Sequence, residues 1–148
     1  MNKIKLILLL TCIVIIIGCN DNYRKKTPSE LKIELQIQEN ENPMQYMKLE
    51  NVLMSKNKIK DAGLFSSAKY DGYLITGQAS NTATMAKYKD LQIIVEFYSK
   101  TKTTIDNKTY VLYEFYQPSS TKEFSIKIDA PKAMESFGIF VGGAVPSY

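Results

Sequence analysis

The chain contains no histidine and only two cysteines, and both cysteines, Cys12 and Cys19, lie close to the amino terminus. Beyond residue 19 there is neither a thiol nor an imidazole, which excludes disulfides, cysteine and histidine zinc sites and nucleophilic catalysis by those side chains. The glycine patterns of phosphate-binding loops and the G-x-S-x-G nucleophile pattern are missing as well. The sequence therefore predicts no cofactor and no metal ligands.

Acid–base catalysis without histidine would depend on carboxylates such as Glu96, Glu114 or Glu123. Glu96 alternates outward on a predicted strand, where a carboxylate is usually a solvated partner of lysine. We therefore expect no catalytic residue, and a carboxylate-based enzyme is the weakest of the hypotheses kept open.

The chain has no long run of residues with the same charge. Its 19 Lys and Arg residues and its 15 acidic residues are interspersed along the sequence. No basic run is long enough to indicate nucleic-acid binding. The small cluster Arg24-Lys25-Lys26 is interpreted as part of a solvated tether. Its alternative role is contact with anionic lipid headgroups, which contributes about 1 kcal/mol per basic residue near a membrane.

The first hydrophobic run is too short to cross a bilayer. Lys3 and Lys5 precede the nearly uninterrupted apolar residues 6–17. As a helix these would rise roughly 18 Å at ~1.5 Å per residue, against a hydrocarbon core of about 30 Å. A basic start followed by such a run is typical of a signal peptide.

The end of that run, Ile16-Ile17-Gly18-Cys19, resembles the bacterial lipobox. The resemblance implies lipidation of the Cys19 thiol, cleavage after Gly18 and acylation of the new amino terminus. The alternatives are a plain signal peptide with an incidental cysteine, or a short uncleaved anchor. We expect a lipoprotein signal peptide over 1–18, a tether over 19–27 and a membrane partner reached through lipidated Cys19. Asn20-Asp21-Asn22 lacks the pattern of a lysine followed by acidic residues that resembles a surface-export signal, which favours a periplasm-facing site.

A short helix is predicted over 28–42. Thr27-Pro28-Ser29-Glu30 has the pattern of a capping box with proline at the first helical position. The apolar residues at 31, 33, 35 and 37 also alternate as they would on a strand, so a strand remains the alternative.

From residue 44 onward nearly all signals are β, because short segments rich in β-branched and aromatic residues alternate with turn signals. These segments predict a sandwich or barrel over 44–148. Residues 56–63 are predicted as a connection, Asp106-Asn107 as a turn, and Gly142-Gly143 as a bulge or turn. The predicted strands are 44–55, 70–81, 88–101, 109–116, 122–130 and 136–144.

Residues 70–145 resemble immunoglobulin-like domains of the FxLYD type, especially those of envelope lipoproteins of Bacteroidetes. The matching positions are Gly77, Asn81, Phe97, Pro118-Ser119 and Phe124. The family's Leu-Tyr-Asp strand ending is not kept in residues 95–101, Val-Glu-Phe-Tyr-Ser-Lys-Thr. The resemblance implies an all-β, immunoglobulin-like antiparallel β-sandwich, and it brings no catalytic residues.

The clearest strand, 88–101, has two different apolar faces. Its inward face is predicted to carry Leu91, Ile93, Val95 and Phe97, which leaves Ile94 and Tyr98 on the opposite side. Two interpretations stay open: Ile94 and Tyr98 form a protein-binding surface, or the helix at 28–42 or the strand near residue 50 covers them. The leading functional hypothesis is a non-catalytic binding or adaptor module in the cell envelope. A structural envelope protein without a discrete ligand is the alternative.

Overall fold

A computed structural model describes residues 24–148 of the chain. The predicted signal peptide and the lipidation site at Cys19 lie outside the described residues.

The predicted helix is present as α1, Pro28–Glu41, so the strand alternative for this segment is wrong. Its capping box forms as the sequence indicates. The backbone N–H of Thr27 donates to Oε2 of Glu30 at 2.7 Å, and the N–H of Glu30 donates to Oγ1 of Thr27 at 3.3 Å. A single-turn helix α2, Pro43–Tyr46, follows with proline at its start. The reciprocal cap satisfies two of the N–H groups that every helix leaves unpaired at its first turn.

The remaining chain folds as an all-β antiparallel sandwich of two three-stranded sheets. The first sheet has the order β1-β2-β5 and the second the order β4-β3-β6. The chain passes between the sheets after β2, β4 and β5, as it does in immunoglobulin-like sandwiches. The strands are β1 (Met47–Lys60), β2 (Lys69–Asn81), β3 (Lys87–Tyr98), β4 (Thr104–Tyr116), β5 (Ser120–Ile128) and β6 (Ser136–Ser147).

The first strand is shifted relative to its prediction. Residues 44–46 are helical in α2, and β1 continues through 56–60, where the charged, turn-rich sequence predicts a connection. The lysines there pair with β2, with Lys56 opposite Tyr73 and Lys60 opposite Lys69. Alternating lysines are tolerated on this extension because their side chains remain in water.

The turn predicted at Asp106-Asn107 is also wrong. Both residues lie within β4, where they face Phe97 and Glu96 of β3. The chain turns earlier: the N–H of Ser99 donates to the carbonyl of Thr103 at 2.9 Å, and Lys102 has a φ of 62°. The turn preference of Asp and Asn is weak compared with the cross-strand pairing that extends β4 by several residues.

The hydrophobic core fills the space between the sheets. The predicted inward residues of β3, Leu91, Ile93, Val95 and Phe97, are all fully buried. The facing sheet contributes Ile75, Ala79, Phe124, Ile126 and Ile128. Phe124 pairs with Gly77 across the strands, and a Cβ on Gly77 would lie 2.9 Å from its ring. Two positions of the family resemblance thus meet in one close contact.

Candidate binding surface

Ile94 and Tyr98 lie on the outer face of the second sheet, on its central strand. Ile94 faces Thr109 of β4 and Phe140 of β6, and Tyr98 faces Thr104 and Ser136. Both candidate side chains are half-buried, and Phe140 is 48% exposed. We call Ile94, Tyr98 and Phe140 together the Ile94 patch.

Two glycines of β6 make room for the Ile94 patch. A Cβ on Gly142 would come within 2.9 Å of Cγ1 of Ile94. A Cβ on Gly138 would lie 3.0 Å from the Tyr98 hydroxyl and 3.0 Å from Cε2 of Phe140. Side chains of the patch therefore rest on bare backbone, which makes this part of the sheet flat and explains why they are only half-exposed.

Gly142 also marks an irregularity in β6. The register of β3 and β6 shifts between Gln92, opposite Gly143, and Ile93, opposite Val141, so that Gly142 has no partner residue. This confirms the bulge expected at Gly142-Gly143, since a bulge places two residues of one strand against one residue of the other.

Phe140 was not identified from the sequence. The segment 136–144 was predicted as a strand, but no side was assigned to its residues. The pattern that could have identified it is the alternation of Gly138, Phe140 and Gly142. On one face of a strand this places a large aromatic ring between two glycines.

The polar part of this surface is a hydrogen bond between neighbours on the same face. The hydroxyl of Tyr98 donates to Oε2 of Glu96 at 2.6 Å. This hydrogen bond, then burial and the nearby carboxylate charge, raise the pKa of Tyr98 above its usual value. The surface therefore offers a partner two apolar side chains beside a phenol–carboxylate pair.

The other carboxylates considered for catalysis are not gathered with Glu96. Glu114 accepts a hydrogen bond from Nζ of Lys122 at 2.8 Å, the lysine pairing expected for a solvated carboxylate. Glu123 lies exposed on β5, opposite Gln78. Within residues 24–148 no group of three or more acidic side chains is arranged to hold a metal ion.

A buried carboxylate that sequence analysis did not single out lies at the end of α1. Glu39 is 1% exposed. Its Oε1 accepts the backbone N–H of Thr84 at 2.7 Å, and its Oε2 accepts those of Met85 at 2.8 Å and Ala86 at 2.7 Å. Three N–H donors balance the cost of burying this charge, so Glu39 fixes the helix to the loop between β2 and β3.

The same helix end binds a second element. The hydroxyl of Tyr88 donates to the carbonyl oxygen of Glu39 at 2.7 Å. Tyr88 precedes Ile94 by six residues on β3, which corresponds to roughly 20 Å at ~3.3 Å per residue. The hydrogen bonds of Glu39 therefore lie near the start of β3, well along the strand from the Ile94 patch.

Comparisons with known proteins place the chain in no family: no family model matches it, and no curated protein matches it. Among solved structures it is similar to the trimeric lipoprotein SadB of Salmonella enterica. That likeness has 9% sequence identity and a TM-score of 0.40, and covers 98% of this chain and 83% of SadB. At such values it determines neither the fold nor the function, and the resemblance to FxLYD domains stays a prediction.

None of the helices in the part of the chain that the structure describes has the length and apolar character needed to span a bilayer.

Proposed function

We propose that this chain is a lipid-anchored protein of the cell envelope whose sandwich is a non-catalytic binding or adaptor module for a protein partner. Cys19 carries the lipid, residues 1–18 are the signal peptide, and the sandwich faces the periplasm. The lipobox pattern Ile16-Ile17-Gly18-Cys19 supports the anchor.

The Ile94 patch is the observation that carries the binding role. Ile94, Tyr98 and Phe140 form a flat, partly open surface across the central strand β3 and the edge strand β6, where outward side chains of a solvated sheet are usually polar. Aromatic residues beside a hydrogen-bonded polar pair have the composition of the centre of a protein–protein interface.

The anchor is tested by Cys19→Ser, with Cys12→Ser as the matched control in the same segment. We expect Cys19→Ser to abolish incorporation of labelled fatty acid and to leave the precursor uncleaved, because the sulfur is the atom that takes the diacylglycerol. Cys12→Ser should be processed as usual. If the Cys19→Ser chain matures to the unaltered mass, the lipoprotein assignment is wrong.

The binding surface is tested by replacing Ile94 and Tyr98 with serine together. Both side chains are half-buried, so we expect a loss of only about 1–2 kcal/mol in the free energy of unfolding. Crosslinking to envelope proteins in cells should fall sharply. The control is Leu53→Ser, which removes a 70% exposed apolar side chain from β1 in the other sheet.

The outcome separates the two leading hypotheses. Loss of crosslinking with the double variant, but not with Leu53→Ser, supports the adaptor. Undiminished crosslinking in a stable double variant rejects the Ile94 patch as the binding site. A chain that crosslinks to no partner in any form favours the structural envelope protein.

A further inference from the structure

The hairpin between β1 and β2 ends in a tight turn that exposes two large apolar side chains. The N–H of Gly63 donates to the carbonyl of Ser66 at 2.9 Å, and the N–H of Ser66 donates back to Gly63 at 3.2 Å. Leu64 and Phe65 occupy the two central positions of this closed turn. Leu64 is 92% exposed and Phe65 is 97% exposed.

These residue types are unusual at such positions. Turn centres favour glycine, asparagine, aspartate and proline, because their backbones or short side chains suit the turn geometry. Leucine and phenylalanine bring no such advantage, and at nearly full exposure neither stabilises the fold by burial. Their presence at the tip is therefore not explained by the requirements of the turn.

The arm that carries the tip extends beyond the body of its sheet. β5 pairs with β2 only from Tyr73 to Asn81, so residues 57–72 form a two-stranded ribbon without a third strand. A narrow ribbon is a weak source of stability by itself. Its turn lies beyond Tyr73, the last residue of β2 on that side to pair with β5.

Four lysines, together called the lysine collar, lie on the two strands that lead to this tip. Lys56, Lys58, Lys60 and Lys69 lie on the two arms, and all four are exposed. Asp61 is the acidic residue between positions 56 and 69, and it pairs with Lys58, so the segment carries a net charge of +3. Asp71, just beyond the segment, pairs with Lys127 of β5.

We propose that this hairpin tip, residues 61–68, docks into the surface of a membrane that contains anionic lipids. Leu64 and Phe65 enter the boundary between headgroups and acyl chains, and Lys60 and Lys69, the collar lysines nearest the turn, lie among the lipid phosphates. Apolar side chains at the level of the acyl chains with basic residues beside the headgroups are the arrangement by which peripheral segments bind anionic membranes.

A lipid surface fits the tip better than a protein partner does. A stable protein interface buries about 800 Å² on each side, which requires a broad surface. Two side chains at the end of a narrow ribbon cannot supply that area. A bilayer needs no complementary pocket, because it accepts any apolar group that reaches its acyl region.

The absence of tryptophan from the chain allows a direct test. The variant Phe65→Trp keeps a large apolar ring at the tip and introduces a single fluorescent reporter. The full-length chain is reconstituted in vesicles of phosphatidylcholine and phosphatidylglycerol, with brominated lipid as the quencher. Co-sedimentation with the vesicles first verifies that each variant is bound, so that the fluorescence of the bound chain reports on the tip.

We expect the emission of Phe65→Trp to shift to shorter wavelength and to be quenched by brominated lipid. The matched control is Tyr113→Trp, which reports from an 82% exposed site on β4 and should show neither effect. Adding Lys60→Gln and Lys69→Gln to Phe65→Trp should reduce the quenching by about twofold or more, because those lysines attract the anionic surface.

Three results would overturn the proposal. Emission from Phe65→Trp that remains like that in water means that the tip does not reach the lipid. A shift without quenching places the tip against protein, such as a second copy of this chain. Equal quenching in vesicles of phosphatidylcholine alone would show that the lysine collar recognises no anionic lipid.

Discussion

The Oε2 atom of Glu39 accepts the backbone N–H of Ala86 at 2.7 Å, which joins the end of α1 to a loop 47 positions later in the chain. The same carboxylate also accepts the N–H groups of Thr84 and Met85. It therefore supplies the hydrogen-bond acceptors that water would otherwise supply to this loop. The helix is therefore held to the sandwich by a buried polar contact.

Replacing Glu39 should lower the free energy of unfolding by an amount that depends on how many hydrogen-bond acceptors the new side chain keeps. Glu39→Ala leaves three N–H donors without their acceptor and should lower the free energy of unfolding by about 3 kcal/mol or more. Glu39→Gln keeps one acceptor oxygen but turns an amide toward at least one N–H, and should lose about half as much. Urea denaturation measures both. The exposed Glu41→Gln should change little. Equal stability of Glu39→Ala and the unaltered chain would contradict the importance of this contact.

Asn81 is a second buried polar side chain whose hydrogen bonds can be tested. Its Nδ2 donates to the carbonyls of Ala86 at 2.8 Å and Tyr116 at 3.1 Å, and its Oδ1 accepts the N–H of Ala83 at 2.9 Å. Asn81→Asp replaces the donor with an oxygen that faces two carbonyls. We expect a loss of about 3 kcal/mol or more, because the buried acceptors lose their donor and a charge is left unpaired.

The control for this substitution is Gln117→Glu, the same chemical change at an exposed position after β4. It should alter the melting temperature little. If Asn81→Asp is tolerated as well as Gln117→Glu, the assigned orientation of the Asn81 amide is wrong.

The inward face of β3 is tested by truncating Phe97. Its side chain is fully buried, and Phe97→Ala should cost ~3–5 kcal/mol through lost burial and the cavity that remains. Tyr113→Ala removes a ring of similar size from an 82% exposed site and should cost less than about 0.5 kcal/mol. Chemical denaturation of both variants, read by circular dichroism, measures the difference. A loss under ~1 kcal/mol for Phe97→Ala would show that the cavity closes or that the face is misassigned.

Alkaline pH should weaken the fold through its buried tyrosines. Burial is the main cause that raises the pKa of Tyr88 and of Tyr116 to about 12, with Glu39 adding to the first and Glu114 to the second. In the unfolded chain a tyrosine titrates near pH 10. The folded state therefore holds protons that the unfolded state has lost, so the free energy of unfolding should fall as pH rises from about 10 to about 12. Below pH 10 these two groups should contribute no slope.

Denaturation at a series of alkaline pH values measures this slope. Tyr116→Phe removes one of the two groups and should make the decline shallower. Absorbance at the tyrosinate wavelength, compared between Tyr116→Phe and the unaltered chain, should show that Tyr116 ionises above pH 10, because burial raises its pKa. An unchanged slope in Tyr116→Phe would mean that other groups cause the alkaline loss.

Much of the architecture could be predicted because local patterns and packing agree there. The inward residues of β3 alternate strictly with outward ones, and one face of a half-buried strand must be apolar. The capping box at Thr27 and Glu30 defines the start of α1 through short-range hydrogen bonds, which depend on no distant residue. The order of the strands in the two sheets follows from pairing between distant segments, and the sequence patterns did not predict it.

Other features depend on contacts that sequence patterns do not show. Glu39 is one of several acidic residues in its helix, and only its position opposite the loop at 84–86 distinguishes it from the exposed Glu41. Asn107 has a strong turn preference, yet the register of β4 places it in a strand opposite Glu96. Lipidation of Cys19 depends on chemistry outside the described residues and stays a prediction.

The hydrogen bond between Glu39 and Ala86 joins residues 47 positions apart, so it should form late in folding. The helix cap is local and forms early, but Glu39 cannot dock until β1 and β2 have brought the loop at 84–86 back to it. Closing so long a segment is entropically costly, so docking follows sheet formation. The amide protons of Thr84, Met85 and Ala86 should then exchange with solvent whenever the helix end detaches, independently of the β3 core.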